Sequence, residues 1–183
     1  MAHLLTWFES GLTWFETGLA TSYQRPPFRQ VLIATLGGAV GIGLLALISE
    51  VSGSAVLMAP LGATAVLVFG LPGSPLSQPR HVIGGHALAM AVGLVCFYLL
   101  GNGILAVGIG SGLALGLMLI TRTVHPPAGA NPLLLMFMGT NVSEAALQIA
   151  LPGVVGAALL YLVAVTTHYL SKQGLARKPK ETL

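Results

Sequence analysis

The sequence predicts an all-α polytopic membrane protein, and three features of the 183-residue chain support that fold class. Hydrophobic residues make up 55% of the chain and charged residues only 7%, whereas a soluble domain carries about 25% charged residues. So few charges cannot cover a water-exposed surface, which excludes a soluble globular domain. The apolar residues fall into runs near the roughly 20 residues that span a bilayer as a helix. The 24 glycines and 11 prolines are typical of closely packed, interrupted membrane helices.

About six apolar segments follow one another along the predicted membrane domain, residues 30–170. Four of them are ordinary spans, and these are segments 1, 3, 4 and 6, at residues 31–49, 82–100, 104–120 and 149–169. Segments 2 and 5, at residues 54–70 and 126–139, are shorter and carry Pro and Gly near their starts. Because Pro interrupts a helix and these runs are short, we predict broken or half-helices there.

Two flanking segments complete the predicted organisation. The N-terminal segment 1–29 contains a duplicated heptad, residues 5–11 and 12–18, whose Leu, Trp and Phe positions fit either an interfacial amphipathic helix or a loosely ordered tail. Its role is left open. The C-terminal segment 171–183 is a basic tail.

The basic residues indicate how the segments are oriented. All eight Lys and Arg residues fall before segment 1 or after segments 2, 4 and 6, and the three alternate connections carry none. If all six segments cross, the positive-inside rule places both termini in the cytoplasm, and we expect a bacterial inner membrane.

Segments 2 and 5 contain a repeated motif. Pro60-Leu61-Gly62-Ala63-Thr64 and Pro127-Ala128-Gly129-Ala130-Asn131 both read Pro-x-Gly-Ala followed by a small polar residue, 67 residues apart. The chain therefore divides into two three-span units, residues 30–100 and 104–170. Because each unit crosses an odd number of times, the second is inverted relative to the first, which is a recurring plan of transporters. Chance similarity is the alternative explanation.

The motif predicts an anion site. Pro60, Pro126 and Pro127 would begin two half-helices, because Pro is tolerated in a first helical turn. A helix N-terminus carries free N–H donors and about half a positive charge. We expect the two N-termini to converge and bind a small anion through Gly62, Ala63, Thr64, Gly129, Ala130 and Asn131. The plainer alternative is that both Pro-Gly pairs only permit kinks and close packing.

Four further residues are candidates for the same site. His125 precedes the double Pro, and His86 lies inside segment 3, where an ionisable side chain is costly and is a functional hypothesis by default. Either could donate to an anion or carry a proton, and each could instead satisfy a carbonyl group. Arg80 and Arg122 would attract anions at the cytoplasmic mouth, or else anchor the topology. His81 and His168 are expected at the interface.

Several function classes are disfavoured. The chain has no Asp, and its five Glu residues lie outside the middle of the apolar runs, which argues against a cation pathway. Cys96 is the single cysteine, so no disulfide or cysteine-based metal cluster can form within the chain. Neither a metal-ligand spacing nor a P-loop occurs. We therefore expect no cofactor, no metal and no enzymatic activity.

The string His125-Pro126-Pro127-Ala128-Gly129-Ala130 resembles the HPP family of integral membrane proteins. The likeness extends to residues 59–67, 73–80 and 83–86, and covers roughly residues 28–170. The resemblance implies nitrite transport. The expected function is thus membrane transport of a small inorganic anion, nitrite first. The alternatives are another anion (nitrate, formate or sulfate) or a non-transporting anion sensor. We expect a homo-oligomer, with a dimer as the working guess, and no nucleic-acid partner.

Overall fold

A computed structural model of the protein describes residues 25–139 and 141–176. The chain divides into two units at Gln30, and the description below concerns the second unit, Val31–Leu183. The duplicated N-terminal heptad and the last seven residues of the basic tail lie outside the described residues.

The described part of the chain is built of helices and their connections. Seven α-helices, three of them short, are interrupted by π and 3-10 turns. In chain order they are α1 (Phe28–Ser52), α2 (Ala59–Ala65), α3 (Pro79–Leu100), α4 (Ile104–Thr121), α5 (Asn131–Met138), α6 (Val142–Glu144) and α7 (Leu151–Ala176). A π-helical turn extends α2 through Val66–Gly70, and another joins α6 to α7 through Ala145–Ala150.

The predicted all-α membrane fold is confirmed. Four stretches are long and apolar enough to cross a bilayer: Phe28–Ser52, Pro79–Leu100, Ile104–Thr121 and Val142–Ser171. They correspond to predicted segments 1, 3, 4 and 6, although the last begins seven residues earlier than its hydropathy indicated. Helix α7 continues to Ala176, into the region predicted as a tail. The inverted relation of the two units stays a prediction.

The two short segments are broken as predicted. The first half-helix is residues Ala59–Gly70. The second half-helix is residues 126–138, a 3-10 turn (Pro126–Ala130) that leads into α5. Met58 and His125 precede them as extended N-cap residues, with φ of −131° and −133°. These two residues stand 67 positions apart, so the backbone geometry recurs with the spacing of the sequence motif. Pro126 explains the extended geometry of His125, because Pro disfavours helical geometry in the residue before it, whereas Met58 is followed by Ala59 and Pro60 comes one residue later.

The two ends of the helix bundle differ in charge. At one end, the Arg80 guanidinium donates from Nη2 to the Thr121 carbonyl at 2.6 Å, which ties the start of α3 to the end of α4. At the other end, the backbone N–H of Ala55 bonds the Gln148 carbonyl at 3.1 Å, close in sequence to Glu50 and Glu144. Arg80 and Arg122 therefore share one end, and these two carboxylates lie at the opposite end.

Glycines permit the close helix contacts. A Cβ atom on Gly37 or Gly41 would lie within 3 Å of Phe69 or Leu160 side-chain atoms, so α1 approaches the first half-helix and α7 closely. In α4, by contrast, Gly108, Gly112 and Gly116 have nothing within 4 Å of such an atom. This glycine stripe of α4 is thus uncovered in the described chain.

Candidate functional site

Four polar side chains meet in the interior of the apolar bundle. Thr64, His86, His125 and Asn131 are each 0% exposed, and we call them the buried network. Thr64 belongs to the first half-helix, His86 to α3 and Asn131 to the second half-helix, which His125 directly precedes. His86 lies seven residues after Pro79, roughly 10 Å along α3. Polar groups at such depth in a membrane protein are costly and mark functional pathways.

The Thr64 hydroxyl is the centre of the buried network. Its Oγ1 lies 2.9 Å from His86 Nε2 and 3.0 Å from His125 Nε2, so a single hydroxyl bridges the two imidazoles. The Pro60 carbonyl oxygen, 3.1 Å away, also accepts from this hydroxyl. The ring centroids of His86 and His125 are 5.2 Å apart, with an angle of 56° between the planes.

The outer atoms of the two imidazoles identify their tautomers. His125 Nδ1 lies 2.9 Å from the Leu76 carbonyl oxygen, which only accepts, so a neutral His125 carries its proton on Nδ1. His86 Nδ1 lies 3.0 Å from Asn131 Nδ2, which only donates, so a neutral His86 carries its proton on Nε2. Asn131 then donates to His86, His86 to Thr64, and His125 to Leu76, while the single Thr64 hydroxyl proton has two acceptors within reach, the Pro60 carbonyl oxygen and His125 Nε2.

The orientation of the Asn131 amide follows from its second contact. Asn131 Nδ2 lies 3.3 Å from the His86 carbonyl oxygen, and a flipped amide would place two carbonyl oxygens against each other. In the orientation that avoids this, Asn131 Oδ1 is buried and has no hydrogen-bond partner among the described residues. An unpartnered buried acceptor costs free energy and calls for an explanation. The buried network is therefore one donor short.

A close helix crossing holds His125 in place. A Cβ atom on Gly85 would lie 2.8 Å from His125 Cβ and 2.8 Å from the Thr123 carbonyl oxygen. Only glycine at position 85 lets α3 approach the strand-like connection before the second half-helix this closely. His81 Nδ1 bonds the Val124 carbonyl at 2.8 Å and fixes the same connection.

The other motif residues lie elsewhere on the half-helices. Gly62, Ala63 and Ala130 are exposed, and Gly129 is partly buried. An apolar groove of about 410 Å³ runs between the half-helices on that outer side, and Ala63 and Ala130 line it together with Pro60, Pro126 and Pro127. Of the six first-turn positions, the structure thus brings together only the two with polar side chains, Thr64 and Asn131.

The two arginines lie outside the buried network. Arg80 is exposed and caps the C-terminus of α4 through Thr121. Arg122 is exposed and ends α4 in the left-handed conformation, at φ 56°. The N–H of Thr123 bonds the Met118 carbonyl and that of Arg122 bonds the Leu119 carbonyl, which is a Schellman cap with Arg in place of the usual Gly. Both guanidinium groups stand at the basic end of the bundle.

Sequence reasoning singled out all four members of the buried network but not their mutual contacts. Nothing in the sequence signals that the Leu76 carbonyl would accept from His125 across 49 residues. His168, which is predicted at the interface, bonds the Val68 carbonyl at 3.1 Å, within the π-helical turn of the first half-helix. A widened turn leaves such a carbonyl available, and a π-turn has no reliable sequence signal.

Comparison with known proteins agrees with the membrane fold. The family described as HPP, transmembrane region, matches residues 23–176. Two transmembrane proteins of Dictyostelium discoideum are 33% and 29% identical over 122 and 121 residues, each match covering 64% of this chain. The matches cover 43% and 39% of those relatives, so the aligned part is about two fifths of their length. No solved structure matches the chain.

Proposed function

The chain belongs to the HPP transmembrane family, and from that premise we propose that it carries a small inorganic anion across the membrane, with nitrite as the first candidate. Membership in this family and the confirmed polytopic fold are consistent with membrane transport.

The buried network is the observation that carries this proposal. It stands where both half-helices meet α3, and it is composed only of neutral hydrogen-bonding groups and imidazoles. The two carboxylates of the described chain, Glu50 and Glu144, lie at the far end of the bundle, so neither repels an anion at the network. Uncharged donors in a low-dielectric site bind an anion more strongly than they would in water.

The bound anion would replace hydrogen bonds that the network now makes to itself. Asn131 Nδ2, the Thr64 hydroxyl and the His86 Nε2–H are the donors available to it. Hydrogen bonds to a charged partner contribute about 1.5–3 kcal/mol each, more than the neutral ones they would replace. Arg80 and Arg122 would raise the local anion concentration at the basic end, where the positive-inside rule places the cytoplasm.

Transport requires the half-helices to move, because all four network side chains are closed off from solvent. We propose that the described structure is an occluded arrangement. Rocking of one three-span unit against the other would open the site to one side at a time, as in other transporters with repeated units. The expected location is a bacterial inner membrane with both termini in the cytoplasm.

Nitrite uptake into liposomes tests the proposal. Purified full-length protein is reconstituted, and uptake is compared with that of Asn131→Leu and of Asn102→Leu, whose asparagine is exposed in the turn between α3 and α4. Leu at position 131 removes the amide donor, so we expect uptake at limiting nitrite to fall roughly ten- to hundredfold. Asn102→Leu should transport like the wild type.

The same assay decides between substrates. Nitrate, formate and sulfate are offered in place of nitrite, and protein-free liposomes give the background from nitrous acid crossing bare lipid. Stronger competition by one of these anions would move the substrate from nitrite to that anion. Absence of protein-dependent uptake for all four, in correctly inserted protein, would refute transport and leave anion sensing.

We also propose a homodimer that uses the uncovered glycine stripe of α4. Small residues four apart let two membrane helices approach closely, and Gly112 has open space around it. We expect Gly112→Leu to shift the purified protein from dimer to monomer in light scattering. Gly43→Leu, at an equally open glycine of α1, is the matched control. A wild-type protein that is monomeric in mild detergent and in lipid would contradict the proposal.

A further inference from the structure

We infer that His86 and His125, bridged by the Thr64 hydroxyl, form a proton site that fills together with the anion, so that each anion crosses with one proton. This inference rests on the proposed function, since it concerns coupling at the same site. It follows from two observations: the single Thr64 hydroxyl proton that faces two acceptors, and the distribution of charged groups around the two imidazoles.

The buried network has one position for an added proton. In the neutral network the single Thr64 hydroxyl proton faces two acceptors, the Pro60 carbonyl oxygen and His125 Nε2, and can be donated to only one of them. A proton added to His125 Nε2 turns that nitrogen into a donor to Thr64 Oγ1, and the hydroxyl then donates to the Pro60 carbonyl oxygen. Protonation thus supplies the missing donor.

The Thr64 hydroxyl accommodates the added proton without any side chain turning. Its Oγ1 accepts from His86 Nε2–H and from His125 Nε2–H through its two lone pairs, and it donates its own proton to the Pro60 carbonyl oxygen. His125 then carries protons on both nitrogens, the second of them donated to the Leu76 carbonyl, and His86 stays neutral. Every proton of the pair has an acceptor, and the pair carries one positive charge.

Among the residues that the structure describes, no carboxylate lies beside the pair to balance that charge. Arg80 and His81 lie at the start of α3 and Arg122 at the end of α4, which is the basic end of the bundle. The two half-helices contain no ionisable side chain, and His125 directly precedes the second. On α7, Tyr161 and His168 line a separate cavity of about 420 Å³. Within residues 25–139 and 141–176, the acidic side chains are Glu50 and Glu144, at the opposite end.

Because no carboxylate lies beside the two imidazoles, binding of the proton and binding of the anion depend on each other. An imidazolium buried in the membrane without a partner is costly, and so is a buried anion without one. When both are present they form a neutral pair, and each removes the cost of the other. Occupancy by the proton alone or by the anion alone is therefore disfavoured, and the site fills and empties as a unit.

Electroneutral uptake is the experimental signature. Liposomes containing the full chain and a pH-sensitive dye are clamped to chosen membrane potentials with potassium and valinomycin, and nitrite is added outside. We expect uptake to rise when the outside is more acidic, to acidify the lumen in step with nitrite, and to be independent of the clamped potential. Uptake that follows the potential and ignores the pH gradient would overturn the inference while leaving anion transport intact.

A pair of glutamine variants isolates the proton site. His125→Gln keeps a donor and an acceptor at this position but binds no proton in the physiological range. We expect its uptake to lose the response to the pH gradient. His168→Gln, outside the buried network, should retain the full response. An unchanged pH response in His125→Gln would also overturn the inference.

Nitrogen NMR of ¹⁵N-histidine-labelled protein in lipid tests the site without transport. We expect opposite neutral tautomers, Nε2–H for His86 and Nδ1–H for His125, and an added proton on the pair only when nitrite, nitrate or formate is present. The variants assign the signals. If no anion is transported but this anion-dependent protonation occurs, the proposed transport fails and the coupled site stands. If the anions leave both histidines neutral, the coupled site fails.

Discussion

Replacing Thr64 with Val is expected to lower the stability of the folded protein more than other substitutions of similar size. Valine has nearly the shape of threonine but no hydroxyl, so His86 Nε2–H and His125 Nε2 would both lose their partner inside the bundle. A buried polar atom without a partner costs about 1–3 kcal/mol. Because Thr64→Val leaves two such atoms without a partner, we expect it to lower the free energy of unfolding by about 2–6 kcal/mol.

Thermal unfolding in detergent at a fixed scan rate measures this loss, and the chain contains a matched control. Thr166 also bonds the carbonyl four residues before it, at 2.9 Å, but it is exposed on α7. Thr166→Val should unfold at the wild-type temperature. Thr64→Ser keeps the hydroxyl and should recover most of the loss. Equal midpoints for Thr64→Val and Thr166→Val would show that the hydroxyl bridge does not stabilise the fold.

Replacing Gly85 with Ala is expected to disturb both stability and transport. The added methyl would lie 2.8 Å from the Thr123 carbonyl oxygen, which is backbone and cannot turn away, and equally close to His125 Cβ. Overpacking of this kind costs about 1–3 kcal/mol. Because relief requires α3 to move away from His125, the bridge through Thr64 should lengthen, and uptake should fall together with the unfolding midpoint.

Gly43→Ala separates this steric effect from the general effect of alanine in a helix. Gly43 lies in α1, and nothing stands within 4 Å of the position that an added methyl would take, so alanine there meets no obstacle. The thermal unfolding midpoint of Gly43→Ala should equal or exceed that of the wild type, since alanine is favoured over glycine in a helix by about 0.5–1 kcal/mol. If both alanine variants behave alike, the close approach at Gly85 is not what positions His125.

Sequence reasoning predicted the elements well because their signals are local. Hydropathy located the four long spans, and the two Pro-Gly motifs located the two half-helices. The last span was predicted too short at its start. Asn141 caps that helix by accepting from the Glu144 N–H at 2.9 Å, and polar residues in this first turn hid it from a hydropathy argument.

The candidate site was predicted only in part. The motif drew attention to Thr64 and Asn131, and the cost of ionisable groups in a span drew attention to His86, all of which are buried. Backbone donors at Gly62 and Ala63 were expected to line the same site, but these residues face outward. Which face of a short helix points inward depends on its neighbours, and a seven-residue helix has too few residues for a reliable amphipathic pattern.

The sequence by itself determined that this chain spans a membrane, where its helices break, and that no carboxylate lies within the apolar runs. These properties depend on composition and on neighbours in the chain, which the sequence displays directly. The tertiary structure alone decided that Thr64, His86, His125 and Asn131 form one hydrogen-bonded network, and that the arginines cap helices outside it. Such contacts join residues 22 to 61 positions apart in the chain. They depend on how closely the helices cross, which is set by the glycines and half-helices packing together in three dimensions.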